Sequence, residues 1–237
     1  MAIKASAPAA VAWRASATMC SREVPVTPAT TGVRPAVSLV TPGTGGYVSP
    51  PFPDFAQPLA ERQAQARELL AEAGFGGDQQ LTVPLIYDSQ DENRKIAIAL
   101  EAMWQAVGVN TEGAGMEFRA VLQKMRAGDF ALARTAVFAV FDDPYAFMQV
   151  FGSRNPRNMS GYSSDAFDGQ IAAANATGDP VRRMALLQEA ESTLMADQPL
   201  LPIYWYAGRM LISERVAGWE DAPLGTPMSR YLSVRDR

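Results

Sequence analysis

The feature that most limits the fold of this chain is the alternation of helix-like and strand-like segments between residues 59 and 141. Apolar residues repeat every three to four positions in the helix-like segments. We predict helices over 59–73, 91–107 and 119–127 and strands over 81–87, 109–118 and 130–141. Strands that are joined through helices run parallel, and a parallel sheet needs cover on both faces. The order therefore predicts an α/β fold with a mostly parallel sheet.

Glycines and prolines set the limits of these segments. A glycine follows each of the three helices, as is typical of helix C-termini: Gly74, Gly108 and Gly128. Pro84 lies inside the first strand, which favours an edge position because proline cannot donate to a sheet. Beyond Pro144 we predict a short helix, helices over 165–174 and 179–196, and strands over 200–206, 209–213 and 231–234.

Composition excludes several classes of protein. The chain has 237 residues, of which 48% are apolar and 19% charged, with a net charge of -4. That apolar content predicts a folded chain. An acidic chain without a basic stripe is a poor nucleic-acid binder, so we expect no nucleic-acid partner. The longest apolar run, 130–141, is too short to cross a membrane and contains Arg134.

Two residue types that carry much of enzyme chemistry are nearly absent. The chain has no histidine and one cysteine, Cys20. This excludes Ser-His-Asp and Cys-His catalysis, His-ligated zinc and an internal disulfide. We expect no cofactor and no metal, which leaves carboxylate, lysine or serine chemistry, or simple binding.

Residues 1–39 differ from the rest of the chain. They are rich in Ala, Ser, Thr, Val and Pro and show no helical or alternating period. A secretory signal needs an unbroken apolar stretch of about 7–15 residues, and Lys4, Pro8 and Arg14 interrupt this one. We recognise no signal peptide and predict a poorly ordered or wrongly started segment; a transit peptide is the alternative.

The adjacent carboxylates Asp142 and Asp143 are the candidates for acid–base catalysis. Neighbours on a strand point to opposite faces, so regular structure would not direct both at one reaction centre. Capping of the helix that follows Pro144 is the simpler role for Asp143. A carboxylate-dependent hydrolase using either aspartate remains an alternative function.

Several short motifs follow one another in a fixed order along residues 39–232. They include Ala66-x-x-Leu69-Leu70-x-x-Ala73-Gly74-Phe75, Met103-Trp104-x-x-Val107-Gly108-Val109, Gly128-Asp129-Phe130-x-Leu132-Ala133-Arg134, Asp143-Pro144-x-x-Phe147, Asn158-x-x-Gly161-Tyr162 and Asp197-x-Pro199-x-x-Pro202-Ile203-Tyr204. In this order and spacing the chain resembles the C-terminal part of a family-5 extracytoplasmic solute-binding protein, the oligopeptide- or dipeptide-binding component of ABC importers.

The resemblance implies one lobe of a two-lobed, type II periplasmic-binding-protein-like fold, truncated at the N-terminus. It divides the chain into an atypical segment over 1–39, a second, ligand-closing lobe over 40–208, and a segment over 209–237 that returns to the first lobe in the family. A periplasmic or cell-surface location is implied, with a peptide or peptide-like solute and the membrane permease subunits of an importer as partners. A non-functional truncated product is the alternative.

The resemblance also implies a ligand-binding segment, and this chain departs from the family there. Peptide-binding relatives carry Trp-x-Ala-Asp-Tyr, whose acid can hold the α-amino group of the ligand; here Val137 and Val140 replace the tryptophan and the acid. Binding of a free amine is therefore in question, and a modified peptide, a blocked N-terminus or a non-peptide solute is favoured. The predicted ligand-binding residues are Arg134, Ala136, Val137, Phe138, Val140 and Phe141.

Arg134 and the aromatic run 204–206 are candidates for lining a cleft. Arg134 is the one charge within the apolar stretch 130–141, and a buried arginine requires an anionic partner. We expect it to pair with an anionic group of the ligand; a salt bridge to Glu112 or Glu117, or plain solvent exposure, is the alternative. One face of the aromatic run is expected in the core and the other in a cleft.

Overall fold

The structure is a computed structural model that describes residues 2–3, 34–52, 57–77, 79–206, 211–219 and 229–235. Residues 4–33 lie outside the described residues, and with them most of the segment predicted to be poorly ordered. The predicted domain boundary at residue 208 also falls outside them.

The described strands are short, apart from two of eight residues each. They are β1 (Ala2–Ile3), β2 (Arg34–Pro35), β3 (Leu81–Asp88), β4 (Val109–Met116), β5 (Leu132–Ala133), β6 (Tyr204–Trp205), β7 (Val216–Ala217) and β8 (Ser233–Val234). The main sheet has the order β1-β5-β3-β4, with β3 parallel to both β4 and β5 and β1 antiparallel to β5. The pairs β2–β6 and β7–β8 form two small antiparallel sheets.

The helices lie where the sequence predicts them, with ends that differ by two residues at most. They are α1 (Leu59–Glu72), α2 (Asp91–Gln105), α3 (Phe118–Ala127), the short α4 (Tyr145–Met148), α5 (Asp165–Ala176) and α6 (Pro180–Asp197). Polar side chains cap the N-termini of three helices. The Glu117 side chain accepts from the Arg119 amide, the Ser164 side chain from the Phe167 amide, and the Asp179 side chain from the Val181 amide.

The main sheet is covered on both faces, as predicted. Alternating residues of β3 point to opposite sides. Leu85 and Tyr87 join a core with α1 and α2, whereas Ile86 joins Val121 and Met125 of α3. This confirms the α/β prediction.

The prediction that the strand with Pro84 lies at an edge of the sheet is wrong. Strand β3 is central, between β4 and β5, yet β5 pairs only with Leu85 and Ile86. Pro84 therefore lies before the short stretch where β3 has partners on both sides. A central strand tolerates the missing N–H because β5 does not reach it.

The predicted strand over 130–141 is wrong beyond Arg134. Only Leu132 and Ala133 form strand β5, and the last bond to β3 is donated by the Arg134 amide to the Ile86 carbonyl at 2.9 Å. Downstream, Val137 and Ala139 pack against a second core instead of continuing the sheet. The apolar run that suggested one strand therefore contributes to the packing on both faces of the sheet and to the helical core.

The C-terminal strands are also shorter than predicted. Only Tyr204–Trp205 of the range 200–206 is strand, and Tyr231 ends a 3-10 helix before β8. Of the strand predicted over 209–213, the described residues 211–213 are not in a strand.

A second core is built by helices. Phe167, Leu187 and Leu194 of α5 and α6 are among its fully buried members, and Leu39 and Val40 belong to the same core. Segment 34–39 is therefore packed: Arg34 pairs with Trp205 and the Ala36 amide donates to the Ile203 carbonyl. The predicted boundary at residue 39 lies inside this packed segment.

A buried carboxylate holds the segment that follows. Glu191 of α6 is 0% exposed. Its two oxygens accept from the Val40 amide and the Tyr47 hydroxyl, each at 2.9 Å. Burial raises the pKa of Glu191 above its usual value of 4.5, although these donors act to lower it.

Segment 200–203 connects the two cores. Leu200 is buried in the helical core, whereas Leu201 and Ile203 are buried in the core of the sheet. Adjacent side chains thus enter different cores, and the chain crosses between them within one residue.

Gly115 is required by a close approach across the sheet, which gives a first prediction. It lies opposite Tyr87, and a Cβ at Gly115 would lie 3.1 Å from the Tyr87 ring. Gly115→Val is expected to displace this buried ring and to lower the free energy of unfolding by about 1–3 kcal/mol, measured by urea denaturation. Ala114→Val, on an exposed neighbouring residue of the same strand, is the matched control. Equal stabilities of the two variants would contradict the role assigned to Gly115.

Candidate functional site

An arginine and two tyrosines form the centre of the candidate site. The Arg134 Nη2 donates to the Tyr204 hydroxyl at 2.6 Å and to the Tyr206 hydroxyl at 3.0 Å. Arg134 directly follows β5, and its amide is fixed to β3. Tyr204 and Tyr206 are two positions apart, which places their side chains on one side of an extended chain.

Aromatic rings extend this centre toward solvent. The ring centroids of Tyr204 and Tyr206 are 5.1 Å apart, and Phe138 lies 5.9 Å from Tyr206. Phe138 is 67% exposed and Tyr206 53% exposed, whereas Tyr204 also packs against the core of the sheet. We call Arg134, Phe138, Tyr204 and Tyr206 the Arg134 cluster.

Arg134 shifts the ionisation of its two partners in different ways. Burial acts to raise the pKa of Tyr206, but its hydrogen bonds with Tyr204 and Arg134 and the positive charge outweigh burial, so that its pKa lies below 10.0. Burial and the neighbouring Tyr206 hydroxyl raise the pKa of Tyr204 to about 12 despite the same arginine. The Tyr204 hydroxyl is therefore protonated and neutral near pH 7.

The alternatives for Arg134 are resolved in part. No salt bridge joins it to a carboxylate within the described ranges, so pairing with Glu112 or Glu117 is wrong. The Glu117 carboxylate instead accepts from the Arg119 amide. Arg134 is half-buried, so plain solvent exposure is wrong as well. Pairing with a ligand remains a prediction.

The other predicted ligand-binding residues separate into two groups. Ala136 and Val137 are half-buried, and Val137 packs against the helical core. Phe138, Val140 and Phe141 are exposed, at 67%, 66% and 39%. The structure joins Phe138 to Arg134 through Tyr206 and places Phe141 near Tyr145, with ring centroids 6.4 Å apart.

Tyr204 and Tyr206 belong to the aromatic run that was a candidate for lining a cleft, but they were not among the six predicted ligand-binding residues. Their two-residue spacing indicated a cleft face, but 70 residues separate Arg134 from Tyr204. Their contact arises because β5 and segment 201–203 both reach the core of the sheet. Spacing within one segment carries no signal of that contact.

The two adjacent aspartates hold the end of the site segment and face different partners. Asp142 accepts from the Gly45 amide at 2.8 Å. Asp143 accepts from both Arg183 Nη atoms, at 2.8 and 2.9 Å, and from the Tyr145 amide, which confirms its capping role. Burial acts to raise the pKa of Asp143, but these hydrogen bonds and the Arg183 charge lower it overall. Both carboxylates are thus engaged in holding the backbone and α6.

No group of three or more Cys, Asp or Glu side chains among the described residues is arranged to hold a metal ion. No helix in the same ranges is long and apolar enough to span a bilayer.

Arg134 is thus a half-buried arginine amid exposed aromatic and aliphatic side chains, on an α/β body. The comparisons identify the class of the chain as the bacterial solute-binding proteins. The model of the family "Bacterial extracellular solute-binding proteins, family 5 Middle" matches residues 31–159, and the chain belongs to this family.

Curated relatives and solved structures agree with this assignment. The periplasmic oligopeptide-binding protein OppA of Escherichia coli is 32% identical over 205 residues, which are 86% of this chain and 38% of OppA. The probable deoxycholate-binding periplasmic protein YgiS of Escherichia coli is 31% identical over 84% of this chain and 37% of YgiS. The structure of the Escherichia coli murein tripeptide binding protein MppA matches with a TM-score of 0.89 at 26% identity, over 100% of this chain and 48% of MppA.

The matches confirm the predicted type II periplasmic-binding-protein fold. The chain spans less than half the length of these relatives.

Proposed function

We propose that this chain is the ligand-closing part of the substrate-binding component of a peptide-type ABC importer, acting in the periplasm or at a cell surface and carrying out no chemistry. Residues 40–208 correspond to the second lobe, and 209–237 to the segment that returns to the first. The observation that carries the proposal is the Arg134 cluster on the fold of this family.

The proposed ligand-binding surface is the Arg134 cluster together with Ala136, Val137, Val140 and Phe141. Its segment 134–141 leaves the sheet at Arg134 and is held at its far end by Asp142 and Asp143. Both ends are fixed, so exposed side chains between them are presented in a defined place. Preorganisation of this kind lowers the entropic cost of binding.

The chemistry of the segment favours a ligand without a free amine at Val140. Valine neither accepts a hydrogen bond nor neutralises a charge. The supported ligands are a modified peptide, a peptide with a blocked N-terminus or a non-peptide solute. That one relative is named as a probable deoxycholate-binding protein supports the last of these.

Arg134→Ala tests this function directly. We expect the variant to bind peptide-type ligands roughly 10- to 150-fold more weakly, since a hydrogen bond to a charged group contributes about 1.5–3 kcal/mol. Binding is measured by NMR titration of the 15N-labelled chain with free and N-acetylated tripeptides, which detects weak contacts at this surface. The free energy of unfolding is expected to change little, because the hydroxyl of the exposed Tyr206 can bond to water.

Arg126→Ala is the matched control, since Arg126 is an exposed arginine on α3. It should leave both binding and stability unchanged. If Arg134→Ala lowers stability and leaves binding intact, Arg134 is structural and the assignment of the site is wrong.

The membrane permease subunits of an importer are the proposed macromolecular partner. Their engagement is tested by adding the chain to a liposome-reconstituted peptide importer and measuring ATP hydrolysis. Stimulation or competition with the native binding protein supports the partnership, and the absence of both contradicts it.

A further inference from the structure

We propose that the ligand of the Arg134 cluster is an amphipathic monocarboxylate: one carboxylate held by Arg134, an apolar body lying on Phe138, Val140 and Phe141, and no amine beside that body. This rests on the proposed function and specifies the class of solute that the same surface takes.

Arg134, at the cationic end of the surface, has N–H donors that the described residues do not use. A guanidinium has five N–H groups. Both partners of Arg134 are bound through Nη2, so the three N–H groups on Nε and Nη1 have no partner among the described residues. The cation is also without a carboxylate in those residues. A half-buried cation so placed favours an anion that enters from outside the chain.

The tyrosines strengthen this end. Each hydroxyl oxygen accepts from Arg134, and a protonated tyrosine hydroxyl also has one proton to donate. A hydroxyl that accepts from a cation becomes a better donor, because bonds in a chain polarise one another. The Tyr206 hydroxyl, on the more exposed of the two side chains, is therefore suited to donate to the ligand carboxylate.

The apolar end lies on the same segment. Phe138, Val140 and Phe141 are exposed within four consecutive residues. Arg134 is separated from Asp142 by seven residues, none of which is charged. A fully extended chain spans at most about 3.3–3.6 Å per residue, so the reach of this uncharged stretch is at most roughly 25 Å. An apolar body the length of a fatty-acyl chain or a fused-ring system can lie along it.

The charges around the apolar end disfavour an ammonium group. The segment from Thr135 to Phe141 contains no carboxylate. Asp142, two residues beyond Val140, accepts from the Gly45 amide. The charge of Glu92 acts on Tyr206, at the arginine end of the site. An amine lying against Phe138 and Val140 would have no counter-charge within residues 135–141, which costs free energy.

A matched pair of ligands tests the inference on the 237-residue chain. Trileucine and N-acetyl-trileucine share three side chains and a carboxylate, and differ in the charge at the amine. Decanoate and deoxycholate below their micelle concentrations supply monocarboxylates without peptide bonds, and 1-decanol supplies an apolar body without a charge. Dissociation constants come from NMR shifts of the Arg134 Nε–H and the Trp205 indole.

We expect the three monocarboxylates to bind at least tenfold more tightly than trileucine or 1-decanol. Arg134→Ala should remove the preference for decanoate over 1-decanol, and Phe138→Ala should weaken all three monocarboxylates. The exposed Phe118 supplies the control variant Phe118→Ala, which should change nothing.

The experiment distinguishes failure of the inference about the ligand class from failure of the proposed function. Trileucine binding as tightly as N-acetyl-trileucine, or more tightly, would overturn the inference and leave the proposed function standing. If no peptide and no carboxylate shifts these resonances, the proposed function itself fails.

Discussion

Glu191→Ala is expected to lower the free energy of unfolding by about 3–5 kcal/mol, since the substitution removes a buried acceptor that two buried donors share. The Val40 amide loses its partner, and the Tyr47 hydroxyl, on a side chain that is only 5% exposed, keeps only the Leu187 carbonyl at 3.4 Å. Burial and the Glu191 charge raise the pKa of Tyr47, so its hydroxyl stays protonated and requires an acceptor. The loss is measured by urea denaturation at pH 7, with circular dichroism as the probe.

Two control variants show whether the buried carboxylate is responsible. Glu189→Ala changes an exposed glutamate on the same helix and should cost less than 1 kcal/mol, the usual range for surface sites. Glu191→Gln keeps one acceptor oxygen and should lose less stability than Glu191→Ala. Equal losses in all three variants would assign the effect to helix propensity and contradict the role of the carboxylate.

The raised pKa of Glu191 gives this site a pH dependence of defined sign. The folded chain holds the proton more tightly than the unfolded chain, in which the pKa is near 4.5. The contribution of Glu191 to stability is therefore fully present below that value and falls as the pH rises through the folded pKa. The stability of Glu191→Gln relative to the wild-type chain should accordingly increase over that interval; a flat or opposite trend would contradict a raised pKa.

Phe167→Ala is expected to lower the free energy of unfolding by about 3–5 kcal/mol, because it opens a cavity in the helical core. Phe167 is 0% exposed and meets the edge of Tyr162 at a ring-centroid distance of 5.6 Å. It lies in the first turn of α5, whose partner α6 carries both Leu187 and Glu191. The measurement is the midpoint and slope of chemical denaturation.

The control for this cavity is Phe118→Ala, which removes an equal ring that is 53% exposed at the start of α3. It should change the free energy of unfolding by less than 1 kcal/mol. Similar losses at the two positions would mean that the helical core is not packed around Phe167.

The helices were predictable because their signals are local. Spacing within α2 and α6, and the glycines after α1, α2 and α3, indicate where a helix lies whatever it packs against. Strand lengths were not predictable from local signals, because a strand continues only while it has a partner strand. Strand β5 ends after Ala133 because the Arg134 amide makes its last bond to β3, and the sequence downstream stays apolar for contacts with the helical core.

The candidate site was predictable in part for the same reason. Arg134 stands out as a lone charge in an apolar run, and Phe138 follows it four residues later. Their connection through Tyr206 depends on the path of the chain more than 60 residues later, which no local pattern encodes. Tyr204 packs against the core of the sheet, whereas Val137 and Ala139, on either side of Phe138 in the sequence, pack against the helical core.

The crossing at Leu200 and Leu201 limits how this sequence can change in length. The gain or loss of a single residue between Leu200 and Ile203 would exchange the side chains that enter the helical core and the core of the sheet. It would also rotate Tyr204 and Tyr206 away from Arg134, since neighbouring positions of an extended chain face opposite ways. Homologous chains that keep this site must therefore accommodate insertions elsewhere, on loops that enter neither core.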